Sequence, residues 1–453
     1  MRKDICFGDV DLTSDAALAD WNGMILAFLS HGMATPARLG AVLDREPGFA
    51  MGHAARGLFS LLMGRRELVD TARTARIAAE AARAQGWAPA RACGWCAALG
   101  GWLDCGPSAA IAAMEEVIAA EPRDTLSVKL CHAIRFILGD SAGMRLSLER
   151  VLDAHGDDHP CRGYLLGCHA FALEETGDYA AAERTGLRGL EAAPDDAWGL
   201  HAVAHVYDMT GQSAGGIALI ERHDGAWMHC NNFRYHVWWH QALMHLDQGD
   251  TDRVLMLYDR KIRVDRTDDY RDIANATSLL ARLELEGVNV GDRWAELADL
   301  AEGRSDDGCL VFADLHYMLA LIGDRREGAA ARLMSRMKRD AGPEGEVARI
   351  VADPGLGAAA GLAAFGEGDY GRAFSLLRAA RPRMQSIGGS HAQRDVYERI
   401  TVDAGIRAGH FDAAAAILAE RRARSAGVED AFAAARFAAI EAAQDASLRY
   451  SAE

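Results

Sequence analysis

Two histidine pairs share one spacing. His201-Ala202-Val203-Ala204-His205 and His236-Val237-Trp238-Trp239-His240 both read H-x-x-x-H, which on a helix sets two imidazoles one turn apart on the same face. Imidazole is the commonest protein ligand for zinc and also suits copper, iron and nickel. Four such rings on neighbouring helices would hold a divalent metal such as Zn with a position left for water. Carboxylates for base or orienting roles in a hydrolase-like reaction are Asp259 and Asp314, with Asp208 a further acid nearby in sequence. Trp227, Trp238 and Trp239 offer the aromatic lining that small-ligand pockets use. Neither pair carries the Glu of H-E-x-x-H that marks a zinc protease. A metal centre, a polar ligand pocket without metal, and histidines that simply hydrogen-bond in a helical wall therefore all fit these residues. His229 and His245 lie in the same region with weaker spacing.

Other residues offer further chemistry. In Gly388-Gly389-Ser390-His391-Ala392-Gln393-Arg394, a glycine turn precedes a helix that Ser390 would cap. Its free N–H groups, with Gln393 and Arg394, could hold a carboxylate or phosphate, or the loop could be a plain capped connection. Asp314 and His316 are two apart on a helix and point in different directions, so one of them faces a groove. Cys93-Gly94-Trp95-Cys96 is a C-x-x-C with no strand before it, which reads as small core residues rather than a redox motif.

The elements that must position these groups are helices in series. The 453 residues exceed the size at which one globular core stops growing. Apolar segments end repeatedly at glycine, often Gly-Asp: Gly139-Asp140, Gly177-Asp178, Gly249-Asp250, Gly323-Asp324 and Gly368-Asp369 among them. Pro47, Pro122 and Pro194 separate one pair of helices from the next. The unit from Gly167 through Gly177-Asp178-Tyr179 to Pro194 follows the tetratricopeptide pattern. The spacing predicts an all-α, right-handed α-solenoid of about ten helix pairs, curled around a concave pocket lined by the first helix of each pair. Residues 1–14 read as an N-terminal arm, residues 15–453 as one solenoid, and residues 354–361 as a joint where the period lengthens.

The net charge of −16, with Lys and Arg scattered, leaves no basic footprint for nucleic acid. No apolar run of membrane-spanning length is evident, and nine cysteines without a spacing framework suit reduced thiols, so a cytoplasmic location is expected.

The chain resembles the tetratricopeptide-repeat protein 38 family. The matching residues are His201-Ala202-Val203-Ala204-His205-Val206 with Met209 and Gly211, Trp227 with Cys230-Asn231, His236 with Trp238-Trp239-His240, His245-Leu246, Leu257-Tyr258-Asp259, Ser278-Leu279-Leu280 with Arg282-Leu283, Phe312 with Asp314 and His316, and Gly388-Gly389-Ser390 with Ala392-Gln393-Arg394-Asp395. Ala281 stands where the family usually has Trp, and Asp208 where Glu is usual. The resemblance implies a helical-repeat fold and supplies no reaction. The expected function is a small polar ligand held in a pocket of His, Trp and Asp by His201, His205, His236, His240, Trp227, Trp239, His316, Ser390, Gln393 and Arg394, with metal-dependent chemistry. The alternative is a non-catalytic scaffold for a peptide or protein partner.

Overall fold

Four of the Gly-Asp dipeptides are joints of the chain, whereas at Gly323-Asp324 the left-handed residue is Arg325 (φ 54°) and Arg326, not Asp324, stands before the next helix. In the computed structural model, which describes residues 2–86 and 88–452 with side chains through residue 445, Gly139, Gly177, Gly249 and Gly368 have φ of 66°, 84°, 77° and 79°. Glycine takes this left-handed conformation at a helix C-terminus without the clash a Cβ would bring. The Asp that follows caps the next helix, since Asp140, Asp178, Asp250 and Asp369 each accept a hydrogen bond from the backbone N–H three residues on. One dipeptide thus closes a helix and opens its partner.

The helices run α1 Asp15–Leu29, α2 Thr35–Arg45, α3 Ala50–Leu62, α4 Arg66–Gln85, α5 Ala90–Cys105, α6 Pro107–Ala120, α7 Thr125–Ile137, α8 Ser141–Glu149, α9 Arg162–Glu175, α10 Tyr179–Ala192, α11 Ala197–Met209 and α12 Ser213–Arg222. They continue with α13 Phe233–Asp247, α14 Thr251–Leu257, α15 Tyr270–Leu285, α16 Arg293–Arg304, α17 Val311–Gly323, α18 Glu327–Asp340, α19 Glu346–Ile350, α20 Leu356–Gly366, α21 Tyr370–Ala380, α22 His391–Arg407, α23 Phe411–Arg424 and α24 Ala431–Ala452. Packing divides them into two compact units. The first comprises Met1–Val203, Glu221–Arg234 and Glu344–Val347, and the second Ala204–Ile220, Tyr235–Pro343 and Ala348–Glu453.

In the first unit α1 packs on α2, α3 on α4, α5 on α6, α7 on α8 and α9 on α10, while α3 meets α5 and α7 meets α9. Helix pairs stacked through their first helices are the tetratricopeptide-like arrangement. Small residues let the pairs close. A Cβ on Gly163 of α9 would stand 2.5 Å from the Ala193 Cβ and 2.8 Å from the Gly189 carbonyl of α10. The segment read as an arm forms a hairpin, β1 Arg2–Lys3 with β2 Asp9–Val10. Its Asp4 is buried, accepts from Trp21 Nε1 at 3.1 Å and pairs with Arg91.

In the second unit the first helices close on themselves. α15 packs on α17, α17 on α20, α20 on α22, and α22 returns to α15. α16, α18, α21 and α23 lie against their own partners in that ring. The run Glu346–Gly366 has 21 residues and contains an 18-residue window with a mean hydropathy of 1.2, so by length and composition it reaches the threshold of a membrane span, which corrects the expectation that no such run exists. It is not one continuous helix: Asp353 breaks it (φ −155°, ψ 113°) ahead of Pro354.

Candidate metal centre

α11 and α13 carry the two H-x-x-x-H pairs. Within the second unit the ring centroids of His205 and His240 are 4.4 Å apart and those of His236 and His240 4.7 Å. His236 Nε2 and His240 Nε2 lie 3.1 Å from each other. One nitrogen from each of His205, His236 and His240 falls within 4.8 Å of the other two, and all three side chains are buried. Two nitrogens bound tetrahedrally to zinc at its usual bond length stand roughly 3.3 Å apart, so the 3.1 Å pair already has the spacing a shared cation requires.

The protonation states fit as well. His236 Nδ1 donates to Asn275 Oδ1 at 2.9 Å, which fixes the tautomer and makes its Nε2 the acceptor that faces His240. Burial pushes the His236 imidazole down to about 3 and the His240 imidazole well below the ordinary range. Both stay neutral at physiological pH, and neutral imidazole is the ligating form. His391, at the start of α22, brings its ring centroid to 5.3 Å from that of His205.

Trp239 walls this group. Its buried indole stacks on His236, with centroids 5.2 Å apart and planes at 16°, and meets His240 edge-on at 4.8 Å. Among the described residues nothing accepts a hydrogen bond from its Nε1. The Arg282 guanidinium carbon stands 5.5 Å from the same ring. Arg282 is buried, and that burial lowers its pKa to about 9. Burial also raises the Asp208 carboxyl to about 6.

The other sequence candidates have contacts of their own. His201, in the first unit, stacks on Phe171 at 5.5 Å and sits 5.1 Å from Trp198. Trp227 is fully buried in that unit beside a 3-10 turn, where the His229 ring nitrogen meets the Ser30 carbonyl at 3.1 Å. In the second unit Asp259 pairs with Arg293 at 2.7 Å, in a charged cleft of about 720 Å³ that also includes Arg263, Arg266, Glu296 and Asp299. Asp314 is buried against Arg336, with Nη1 to Oδ2 at 3.0 Å. His316 turns the other way, as a two-residue spacing requires, with Nδ1 2.7 Å from the Phe312 carbonyl and 3.0 Å from the Tyr397 hydroxyl. Ser390 and Gln393 form a reciprocal capping box, which occupies the backbone N–H groups of both residues. Arg394 bonds the carbonyls of Gly388 and Gly389. Cys96 lies buried in α5 with its thiol pushed up to about 11 by that burial, which suits a core residue rather than a nucleophile.

Sequence reading missed Asn275 and His391 as partners of the histidines, and Arg282 and Tyr397 as buried polar groups of the same ring. A signal for two of these was present. Asn275, Ser278 and Arg282 fall at i, i+3 and i+7 of α15, a polar stripe on a helix buried almost throughout.

These features define a class: an all-α, tetratricopeptide-like helical-repeat protein with a buried histidine group in its second unit. No protein-family profile matches the chain. Among solved structures it is similar to the complex of Naa15/Naa10 bound to HypK-THB, with 13% identity and a TM-score of 0.25. The match covers 90% of this chain and 63% of that one, less than two thirds of its length.

Proposed function

We propose that this is a metal-binding member of the helical-repeat class, in which His205, His236 and His240 hold a divalent cation such as zinc and a small polar ligand completes its coordination. The observation that carries the reading is the buried triple of imidazoles with nitrogens within 4.8 Å of one another, its His236 tautomer set by Asn275. Three protein ligands and one open position is the pattern of reactive rather than purely structural zinc sites. A cation there would polarise a bound carbonyl or acidify a bound water, so hydrolysis of a small molecule is the reaction class to assay first. The resemblance to the tetratricopeptide-repeat protein 38 family falls on the same residues and supplies no reaction.

The test is elemental analysis of untagged protein after equilibration with zinc and gel filtration. About one zinc per chain is expected for wild type, and none above background for His236→Ala and His240→Ala. Equal metal in wild type and both variants would overturn the reading. A second reading, a scaffold for a peptide partner, draws on the cleft around Asp259, Arg263 and Arg293. It predicts peptide binding that is lost in Arg293→Ala and indifferent to zinc.

A further inference from the structure

We infer that the ligand of this centre presents an oxyanion, a carboxylate or phosphate group, and that Arg282 is its anchor. The inference rests on the proposed ligand site but not on which metal occupies it.

Arg282 lies on α15, an inner helix of the second unit, and its side chain is 1% exposed. Its hydrogen bonds go to two main-chain carbonyls, from Nη1 to Ser278 at 3.0 Å and from Nη2 to Ala392 at 2.7 Å. A guanidinium has five N–H donors, so these two leave the fork largely unspent. Its carboxylate neighbour Asp395 is 4.0 Å away, beyond hydrogen-bond reach. That carboxylate is committed already, to Arg399 and Arg421, each through Nε at 2.6 Å. Asp430 serves the same two arginines, at 3.0 and 2.6 Å. Three buried or half-buried cations thus share these two carboxylates, and Arg282, whose 4.0 Å pair with Asp395 is the longest of them, is the one without a hydrogen-bonded anion. Asp208 acts on it only at longer range.

The indole of Trp239 adds to the same imbalance. It touches Arg282, His236 and His240 at once, and its buried Nε1–H has no acceptor among the described residues. What Arg282 and this indole leave unmet is donors, beside a guanidinium whose nearest carboxylate is out of hydrogen-bond reach. A group that accepts, does not donate and carries negative charge satisfies both, and a guanidinium fork matches the paired oxygens of carboxylate and phosphate.

The experiment is calorimetric titration of the full chain with inorganic phosphate and, separately, with succinate, each against chloride at equal ionic strength, in metal-free and stoichiometrically zinc-loaded protein. Saturable binding of at least one anion is expected, weakened at least tenfold in Arg282→Met while the zinc content of that variant stays at the wild-type level. The anion that binds decides between the carboxylate and phosphate sources. Arg282→Lys keeps the charge and loses the fork, and about fivefold weaker binding is expected of it. It provides the reading if the Met variant does not fold by circular dichroism. Neither anion binding above chloride, or both variants binding as wild type, would overturn the inference. Anion binding through Arg282 in a protein that takes up no zinc would uphold it while the metal-centre reading fails.

Discussion

Asp196 is buried in the first unit, where loss of solvent raises its carboxyl to about 7 against the opposing pull of Lys129 and the backbone N–H groups of Trp198 and Gly199. Its folded pKa lies above its unfolded value, so its contribution to stability is fully present below about pH 4 and is lost as pH rises through 7. Asn keeps the shape and a side-chain oxygen and removes the charge. Asp196→Asn should therefore hold its stability between pH 5 and 8.5 while wild type loses about 2 kcal/mol by comparison. Urea titrations at the two pH values check this, and parallel profiles would contradict it. At this scale the sequence disclosed what is local. The H-x-x-x-H pairs were legible because a four-residue interval means one turn on any helix. Asn275 and Arg282 showed only as a polar stripe, because their partners depend on which helices meet, and nothing within α15 states that it faces α22.

Helices were legible where punctuation is chemical. The Gly-Asp joints were found because only a left-handed residue followed by a cap ends one helix and starts another so abruptly. The hairpin at residues 2–10 carries no such periodic mark, and it owes its place to the buried contacts of Asp4 with Trp21 and Arg91. Close approach of α9 and α10 depends on Gly163, since a Cβ there would overlap the backbone of Gly189 and Ala193 rather than a side chain that can swing away. Gly163→Ala should cost about 2 kcal/mol, the usual penalty of overpacking. Gly371, within α21, has open space for 4 Å around the point where a methyl group would stand, so Gly371→Ala should stabilise by roughly 0.5–1 kcal/mol through helix propensity alone. Thermal and urea unfolding of the two variants side by side give a sign difference, and destabilisation by both would refute the packing account.

A chain with a net charge of −16 attracts divalent cations over its whole surface, so uptake of zinc is informative only when it is located. Ions gathered by the general field are exchanged and screened by salt within a Debye length of about 8 Å at physiological strength. A cation held by His205, His236 and His240 is instead bound to α11 and α13, with Asn275 of α15 behind His236 and His391 of α22 beside His205. Binding to the folded state alone adds about 2.7 kcal/mol at a hundredfold excess over Kd. That stabilisation must appear where the ligands are. Hydrogen exchange in 0.15 M salt, with one equivalent of zinc, should slow in α13, in the Asn275 turn of α15 and in the first turns of α22, and should not change in α3 to α6 of the first unit. His236→Ala should abolish the difference. Protection spread evenly over both units, or the same protection in His236→Ala, would mean that the cation is held by the field of the acidic surface and not by the histidines.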